Sequence, residues 1–261
     1  MRFLCLHGLG TNSDVLKAQT AALRYRLGHD THEFDFIDGS ILWPPTRGIA
    51  ELFSSEADSA VDCYSYFNES ASSILAAVED LAAYVITNGP FDGVIGFSQG
   101  AVLAATLLIA VQPSPETTMQ SADADTESEL PDALRALQSR GEPPFRFAVF
   151  LCGGHPFDLR ALQRGVIVEI TGRPSSDTPL ISLPVVNCWA RNDEDYPGMG
   201  PPLSSLCGKR NNEEVVHGAG HGVPSEGDDL DALCRAVGKI IGIAGDTGMR
   251  SATRPSDGGR Y

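Results

Sequence analysis

The chain has 261 residues, of which 42% are hydrophobic, and it carries a formal net charge of −15 at pH 7. This length suits one α/β domain with a large buried core better than two small domains. The negative charge repels nucleic acid and anionic membranes, so we expect neither as a partner.

Apolar runs and cysteine spacing indicate the compartment. The run at residues 1–6 is too short for the core of a secretory signal, and the run at residues 101–111 is about half a membrane span. Six cysteines occur without a CxxC pair, which is typical of buried reduced thiols rather than of a metal site or a disulfide framework. We therefore expect a cytoplasmic protein that crosses no membrane.

The first elements have the order strand, helix, strand. An apolar run at residues 2–6 predicts a buried strand that enters a tight His-Gly-Leu-Gly turn at residues 7–10. Apolar residues at helical spacing follow over residues 16–27, with Ser13 as a possible cap. Alternation over residues 32–38 predicts a second strand, and this order favours a parallel sheet.

An irregular, lid-like segment spans residues 39–68. It is rich in aromatic side chains, for which lining of an acyl pocket and ordinary core or lid packing remain alternatives. The candidates for substrate binding are Trp43, Phe53, Tyr64, Tyr66 and Phe67.

The middle of the chain predicts a helix, a strand and a second helix. Apolar residues recur at helical spacing over residues 71–85, and a Gly-Pro pair at residues 89–90 ends that helix. Residues 91–97 predict a strand. Residues 101–111 are apolar on every side, which is typical of a helix buried behind a sheet.

Composition changes at residues 112–144. This stretch holds five prolines and seven acidic residues against two arginines. Such a composition predicts an acidic, flexible insertion or a mobile lid edge.

Regular structure returns after the insertion. Three runs predict strands, at residues 146–152, 184–190 and 213–216. Apolar residues at helical spacing over residues 230–241 predict a closing helix. We therefore predict one domain over residues 1–243 and a disordered tail over residues 244–261.

Ser98 is the candidate nucleophile. It stands in a GxSxG motif between Gly96 and Gly100, after a predicted strand and before a predicted helix. This setting is the sharp turn from which a serine hydroxyl protrudes in α/β-hydrolases, with a mostly parallel central sheet and helices on both faces. The alternative is a structural glycine turn, because the motif alone also arises by chance.

A serine nucleophile needs a histidine base and an acid, which follow it along the chain in α/β-hydrolases. His155 follows too closely to leave room for a strand and an acid. His221 is preferred over His217 because it lies beyond the last strand in a glycine-rich loop that can fold back over Ser98. The histidines that precede Ser98 and fail on this order are His7, His29 and His32.

His217 is interpreted as a packed or capping histidine at the end of the last strand. Its spacing to His221 resembles that of a zinc-binding helix, but Gly218 replaces the required Glu and the adjacent glycines disfavour a helix. We therefore predict no metal and no cofactor.

The acid should follow the strand at residues 184–190. Asp193, Glu194 and Asp195 are candidates, and Asp193 is preferred because it is nearest the strand end, with Asp195 as the alternative. An oxyanion hole needs two backbone N–H donors. We expect these from Gln99, directly after the nucleophile, and from Leu9 in the first turn.

Four stretches of the chain match a known family. They are LCLHGLGTN (4–12), GPFDGVIGFSQGAVLAATLL (89–108), the strand that leads to Asp193, and HGAGHGVP (217–224). On these residues the chain resembles the fungal family of serine hydrolases, which are small α/β-hydrolases also related to an ovarian-cancer-associated human hydrolase. With matched spacing, the resemblance covers most of residues 1–243.

The resemblance implies Ser98 as nucleophile, Asp193 as acid and His221 as base. The chain departs from the family at Ala190, where a GxxD pattern usually has Gly, and in the longer insertion at residues 112–144. Residues 43–67 resemble members found beside fungal polyketide synthases. Those members imply an esterase, or a thioesterase that releases a polyketide chain.

The expected substrate is a small-molecule ester or thioester, and a polyketide synthase acyl carrier protein is a possible partner. Carrier proteins are typically acidic, so a chain of charge −15 repels them unless it has a local basic patch. The candidates for that patch are Arg2, Arg24, Arg26 and Arg47. A general short-chain carboxylesterase and a non-catalytic hydrolase-like binding protein are the alternative functions.

Overall fold

The computed structural model describes residues 1–28, 30–46, 48–49, 61–112, 130–172 and 178–252, and for residues 246–252 it describes the backbone alone. Eight strands occur in these ranges: β1 (Arg2–Leu6), β2 (Glu33–Ile37), β3 (Ile41–Leu42), β4 (Tyr64–Ser65), β5 (Gly93–Phe97), β6 (Phe147–Leu151), β7 (Val185–Ala190) and β8 (Asn212–His217). The helices there are α1 (Ser13–Gln19), α2 (Ala21–Leu27), α3 (Ala71–Asn88), α4 (Gln99–Ala110), α5 (Asp132–Gln138), α6 (Leu159–Gln163), α7 (Pro201–Leu206) and α8 (Gly227–Ala252).

Six strands form one parallel sheet in the order β2-β1-β5-β6-β7-β8. Every residue of the central strands β5 and β6 is buried, as expected for strands covered on both faces. The predicted parallel sheet with helices on both faces is therefore confirmed.

Two apolar clusters cover the two faces of the sheet. Side chains of α3, α4, α5 and α7 build one cluster, and side chains of α1, α2 and α8 build the other. In β1, Leu4 and Leu6 enter the first cluster while Phe3 and Cys5 enter the second, because successive side chains of a strand point to opposite faces.

The helix predicted over residues 16–27 is two helices, α1 and α2, that meet at Thr20. Asn12, and not Ser13, caps α1, because its extended backbone lets its side chain accept a hydrogen bond from the Val15 N–H at 2.9 Å. The Ser13 amide and hydroxyl instead donate to the Asp38 carboxylate.

Two predicted boundaries differ from the structure. Residues 132–138 of the predicted flexible insertion form α5, because Leu134 and Leu137 are fully buried against the core. Residues 113–129 lie outside the described residues. Helix α8 continues to Ala252, beyond the predicted tail boundary at residue 244, and its last buried side chain among the described ones is that of Ala244.

The segment predicted as lid-like packs beside the first turn. Its strands β3 and β4 form an antiparallel pair. The Gly10 N–H donates to the Tyr64 carbonyl at 3.0 Å, and the Thr46 N–H donates to the Gly10 carbonyl at 3.0 Å. Residues 50–60 of this segment lie outside the described residues.

Among the described helices, none combines the length and the apolarity that a bilayer crossing requires.

Candidate active site

Ser98 occupies the turn between β5 and α4. Its backbone has φ 51° and ψ −113°, a conformation that residues other than Gly rarely adopt. The Ser98 N–H donates to the Leu151 carbonyl at 2.8 Å, which ties this strained turn to the neighbouring strand β6. Such strain holds the hydroxyl away from both strand and helix.

The glycines on both sides of Ser98 are required by close backbone approach. A Cβ at Gly96 would lie 2.6 Å from the backbone of Ala101, and a Cβ at Gly100 would lie 2.3 Å from the Leu6 carbonyl oxygen. Both distances are far below van der Waals contact. The GxSxG pattern is therefore a packing requirement of the turn.

His221 connects Ser98 to Asp193. Its Nε2 lies 2.9 Å from the Ser98 Oγ, and its Nδ1 lies 2.7 Å from the Asp193 Oδ2. A carboxylate accepts hydrogen bonds, so the proton is on Nδ1 and Nε2 is free to accept from the serine hydroxyl. The three side chains thus form one continuous hydrogen-bonded relay.

Burial and contact distinguish the three neighbouring acids. The Asp193 side chain is 5% exposed, and its second oxygen accepts a hydrogen bond from the Tyr196 N–H at 2.9 Å. Glu194 and Asp195 are exposed. Asp193 is therefore the acid in contact with His221, while Asp195 lines the adjacent cleft.

Two residues that sequence reasoning missed hold the loop of His221. The Asn192 side chain donates to the Gly218 carbonyl at 3.0 Å and accepts from the Gly220 N–H at 3.3 Å. The Cys152 thiol donates to the Gly222 carbonyl at 3.3 Å. Asn192 could have been suspected from its place beside the acid, whereas Cys152 carries no sequence signal.

His217 is buried beneath this loop and is 4% exposed. Its Nδ1 accepts from the Ala219 N–H at 3.1 Å, and burial lowers its pKa. It is separate from the relay, as its interpretation as a packed histidine predicted.

Cys152, Asp193 and His221 place three possible metal-ligand atoms within 4.8 Å of one another. Burial raises the pKa of the Cys152 thiol to about 12, with a smaller contribution from the charge of Asp193. Metal binding needs a thiolate, and the facing atoms of Asp193 and His221 already bond to each other at 2.7 Å. These residues suit a hydrogen-bonded relay better than a metal site.

Of the two expected oxyanion donors, Leu9 lines the same cleft as Ser98, and Gln99 directly follows Ser98 as the first residue of α4. Within the described part of the chain, no hydrogen bond engages the N–H of Leu9 or of Gln99. The Gln99 side chain is bound elsewhere: its oxygen accepts from the Tyr66 N–H at 2.9 Å, and its nitrogen donates to the Phe67 carbonyl at 3.0 Å. This amide anchors the lid-like segment to the turn of the nucleophile.

The cleft above Ser98 has a volume of about 480 Å³. Its lining is mixed, with apolar side chains beside hydroxyl, amide and carboxylate groups, which suits a substrate that is partly apolar. The residues that line it are Gly8, Leu9, Thr11, Gln19, Thr46, Gly48, Ile49, Phe97, Ser98, Asp195, Tyr196 and His221.

Four of the five aromatic residues predicted to bind substrate are not among the described residues that line this cleft. Trp43, Tyr64, Tyr66 and Phe67 are absent from the described lining of this cleft, and Phe53 lies outside the described residues. Tyr66 is buried with its hydroxyl bonded to the Ile37 carbonyl and the His7 N–H, both at 2.9 Å. The Phe67 ring packs edge-on against Phe157. Among the described residues, Phe97 and Tyr196 are those that place a phenyl or phenol ring at the cleft.

The parallel sheet with helices on both faces, together with a serine at a strained strand-to-helix turn, defines the chain as an α/β-hydrolase. A family model described as Serine hydrolase (FSH1) matches residues 1–233. The chain therefore belongs to this family of serine hydrolases, and the resemblance drawn from its sequence is confirmed.

Known proteins agree with this assignment. The esterase FPY3 of Fusarium mangiferae is 35% identical over 243 residues, covering 92% of this chain and 97% of that protein. The probable esterase tazC of Aspergillus terreus is 28% identical over 278 residues, covering 95% and 94%. A Bacillus cereus carboxylesterase superposes with a TM-score of 0.50 at 16% identity, covering 91% of this chain and 87% of that one, and supports the fold alone.

Proposed function

We propose that the chain is an acyl hydrolase that cleaves an ester or thioester through an acyl-Ser98 intermediate. The observation that carries this proposal is the relay from Asp193 through His221 to Ser98, with distances of 2.7 and 2.9 Å. The fungal relatives named as esterases support an ester substrate for this chain as well.

In the first half of the reaction, the Ser98 Oγ attacks the acyl carbonyl while His221 Nε2 takes the hydroxyl proton. The carbonyl oxygen becomes an oxyanion that the Leu9 and Gln99 N–H groups stabilise. The tetrahedral intermediate then expels the alkoxide or thiolate leaving group, which takes the proton from His221.

In the second half, a water molecule attacks the acyl-Ser98 carbonyl and gives a proton to His221. Collapse of this intermediate releases the carboxylic acid, and His221 returns the proton to Ser98. Asp193 stabilises the imidazolium that forms in each half.

The acyl group of the substrate is proposed to lie between Leu9, Ile49 and Phe97, the apolar part of the cleft wall. The roles proposed from sequence for Trp43, Tyr64, Tyr66 and Phe67 would require these residues to act from outside the described lining. We therefore favour the cleft residues as the substrate contacts.

A substrate supplied free in solution is favoured over one bound to a carrier protein. Arg2 pairs with Asp35, and Arg26 pairs with Asp231 at 2.7 Å, so neither arginine offers an unpaired charge. The guanidinium carbon of Arg24 lies over the Phe36 ring, 5.3 Å from the ring centroid. Arg47, the remaining candidate for a basic patch, lies outside the described residues.

The proposal is tested by the hydrolysis of p-nitrophenyl butyrate. We expect Ser98→Ala to lower kcat/KM by about 10³-fold or more, because the nucleophile is lost while the cleft remains. Ser139→Ala, at the exposed C-cap residue that follows α5, is the matched control and should retain wild-type activity. A folded Ser98→Ala protein with wild-type turnover would refute the proposed function.

A further inference from the structure

We propose that His7 and Thr11 are positioning residues that hold the Gly8 carbonyl in the protein interior and thereby aim the Leu9 N–H into the cleft. This inference rests on the proposed acyl hydrolase function and extends it to two side chains that take no part in the relay. It assigns a role to His7, the first residue of the His-Gly-Leu-Gly turn, which takes no part in the relay.

Two side-chain donors converge on one backbone carbonyl. The His7 Nδ1 lies 2.6 Å from the Gly8 oxygen, and the Thr11 hydroxyl donates to the same oxygen at 3.0 Å. His7 is fully buried and Thr11 is 3% exposed. A carbonyl that accepts two hydrogen bonds in the protein interior has a well-determined direction.

The other nitrogen of His7 determines which ring atom carries the proton. The Gly39 N–H donates to His7 Nε2 at 2.9 Å, so Nε2 is an acceptor and the proton of the neutral ring is on Nδ1. Burial lowers the pKa of His7, while the Gly8 carbonyl and the charge of Asp38 oppose that shift. The ring also stacks on Tyr66 with centroids 4.6 Å apart. The donor to Gly8 is therefore fixed in both protonation and orientation.

Peptide geometry transmits this constraint to Leu9. The Gly8 carbonyl and the Leu9 N–H belong to one planar trans peptide unit, in which the C=O and N–H bonds point in opposite directions. With the oxygen held towards His7 and Thr11, the N–H must point away from them. Gly8 and Leu9 both line the cleft, and within the described residues the Leu9 N–H has no partner.

The loop also lies close to the nucleophile. A Cβ at Gly8 would stand 3.3 Å from the Ser98 Cβ and 2.9 Å from the Phe97 ring, so the Gly8–Leu9 peptide runs alongside Ser98. Gly8 is flexible by itself, and Gly10 has a φ of +61°. Without the hydrogen bonds to the Gly8 carbonyl, a peptide next to such glycines can rotate and turn its N–H out of the cleft.

Hydrogen bonds to the carbonyl have a second consequence. Donors on the Gly8 oxygen polarise the peptide and make its N–H a stronger donor. Such an N–H contributes most where negative charge develops, which is on the substrate oxygen in the transition state. Loss of a hydrogen bond to the Gly8 oxygen should therefore lower kcat and leave substrate binding almost unchanged.

The test compares Thr11→Val with Thr11→Ser in hydrolysis of p-nitrophenyl butyrate. Loss of a whole oxyanion donor costs about 10²–10³-fold in kcat, so loss of one of its two holds should cost about 10-fold. We expect Thr11→Val to lower kcat by about that factor with KM within about twofold of wild type. Thr11→Ser, which retains the hydroxyl, should recover most of the rate.

A boronic acid that forms a tetrahedral adduct with Ser98 provides a second measurement. Its affinity should fall in Thr11→Val by the same factor as kcat, whereas affinity for the planar product acid should not change. Equal losses for both ligands would indicate a general disturbance of the cleft and would overturn the proposal.

His7→Asn and His7→Gln form an independent matched pair in case Thr11→Val does not fold. The Asn amide can replace Nδ1 as the donor to Gly8, whereas the Gln amide reaches the position of Nε2 near Gly39. We expect His7→Asn to retain several times more kcat than His7→Gln. Equal rates for the two variants, or wild-type kcat in Thr11→Val while Ser98→Ala is inactive, would overturn the positioning role and leave the proposed function intact.

Discussion

Asp193 and Asp195 are two residues apart, yet the fold places them in different surroundings. The side chain of Asp193 is 5% exposed and bonds to His221 at 2.7 Å, whereas Asp195 is exposed at the cleft. A negative charge orients an imidazole strongly only where water does not screen it. The two acids therefore differ in what they can contribute to catalysis.

Asp193→Asn and Asp195→Asn separate these contributions. We expect Asp193→Asn to lower kcat by about 10³–10⁴-fold, because an amide neither stabilises the imidazolium nor fixes its tautomer. Asp195→Asn should stay within about threefold of wild type on a neutral ester, since an exposed charge contributes little. Hydrolysis of p-nitrophenyl butyrate measures both, and a larger loss in Asp195→Asn would show that the acid is assigned to the wrong residue.

Sequence reasoning reached some of these residues more easily than others. Ser98 has a motif with a steric cause, and His221 follows from the order along the chain. The choice among the three adjacent acids remained open, because only the path of the loop decides which carboxylate is buried. For the aromatic residues of the lid-like segment, composition left cleft lining and ordinary packing as alternatives, and Tyr66 packs on His7.

At the scale of elements, the strands of the main sheet were predictable because most are short apolar runs between turn residues and β2 shows strand-like alternation. The short helices α6 and α7 were missed, since five or six residues are too few to show helical periodicity. The cap of α1 was misplaced by one residue, from Asn12 to Ser13, because both side chains can accept the capping hydrogen bond. Which of two such neighbouring residues caps the helix is decided by backbone conformation, which the sequence does not show.

Helix α4 can lie against β1 only because Gly100 has no side chain. A Cβ there would lie 2.3 Å from the Leu6 carbonyl oxygen, whereas Gly238 in α8 is exposed with no atom within 4 Å of a Cβ. We expect Gly100→Ala to lower the free energy of unfolding by about 1–3 kcal/mol and to reduce kcat, because Ser98 and Gln99 move with the helix start.

Gly238→Ala is the matched control on an open helix surface. It should raise the free energy of unfolding by about 0.5–1 kcal/mol, because Ala favours the helix over Gly. Urea unfolding measures both variants. Equal stabilities of the two variants would contradict the steric role of Gly100.

At the scale of the whole molecule, the chain presents a strongly acidic surface, with a formal net charge of −15. We propose that residues 1–243 form one domain around the six-stranded sheet, with the cleft beside the carboxyl end of the central strand β5. Electrostatic repulsion acts on a large acidic partner and much less on a small neutral substrate, so the surface favours the latter.

Thioesters with the same acyl group test this preference. We expect kcat/KM for an octanoyl thioester of an acyl carrier protein to be about 10-fold below that for the neutral octanoyl N-acetylcysteamine thioester at low ionic strength. The gap should narrow as added salt screens the repulsion. A carrier-bound thioester that reacts faster at low salt would show instead that the chain has a docking surface for the carrier.

The central claim is that Ser98 is the nucleophile, and covalent labelling tests it most directly. A fluorophosphonate phosphonylates an activated serine with loss of fluoride, and peptide mass spectrometry locates the adduct. We predict one adduct, on the peptide that contains Ser98, and none in Ser98→Ala. An adduct on another residue, or equal labelling of wild type and Ser98→Ala, would contradict the account.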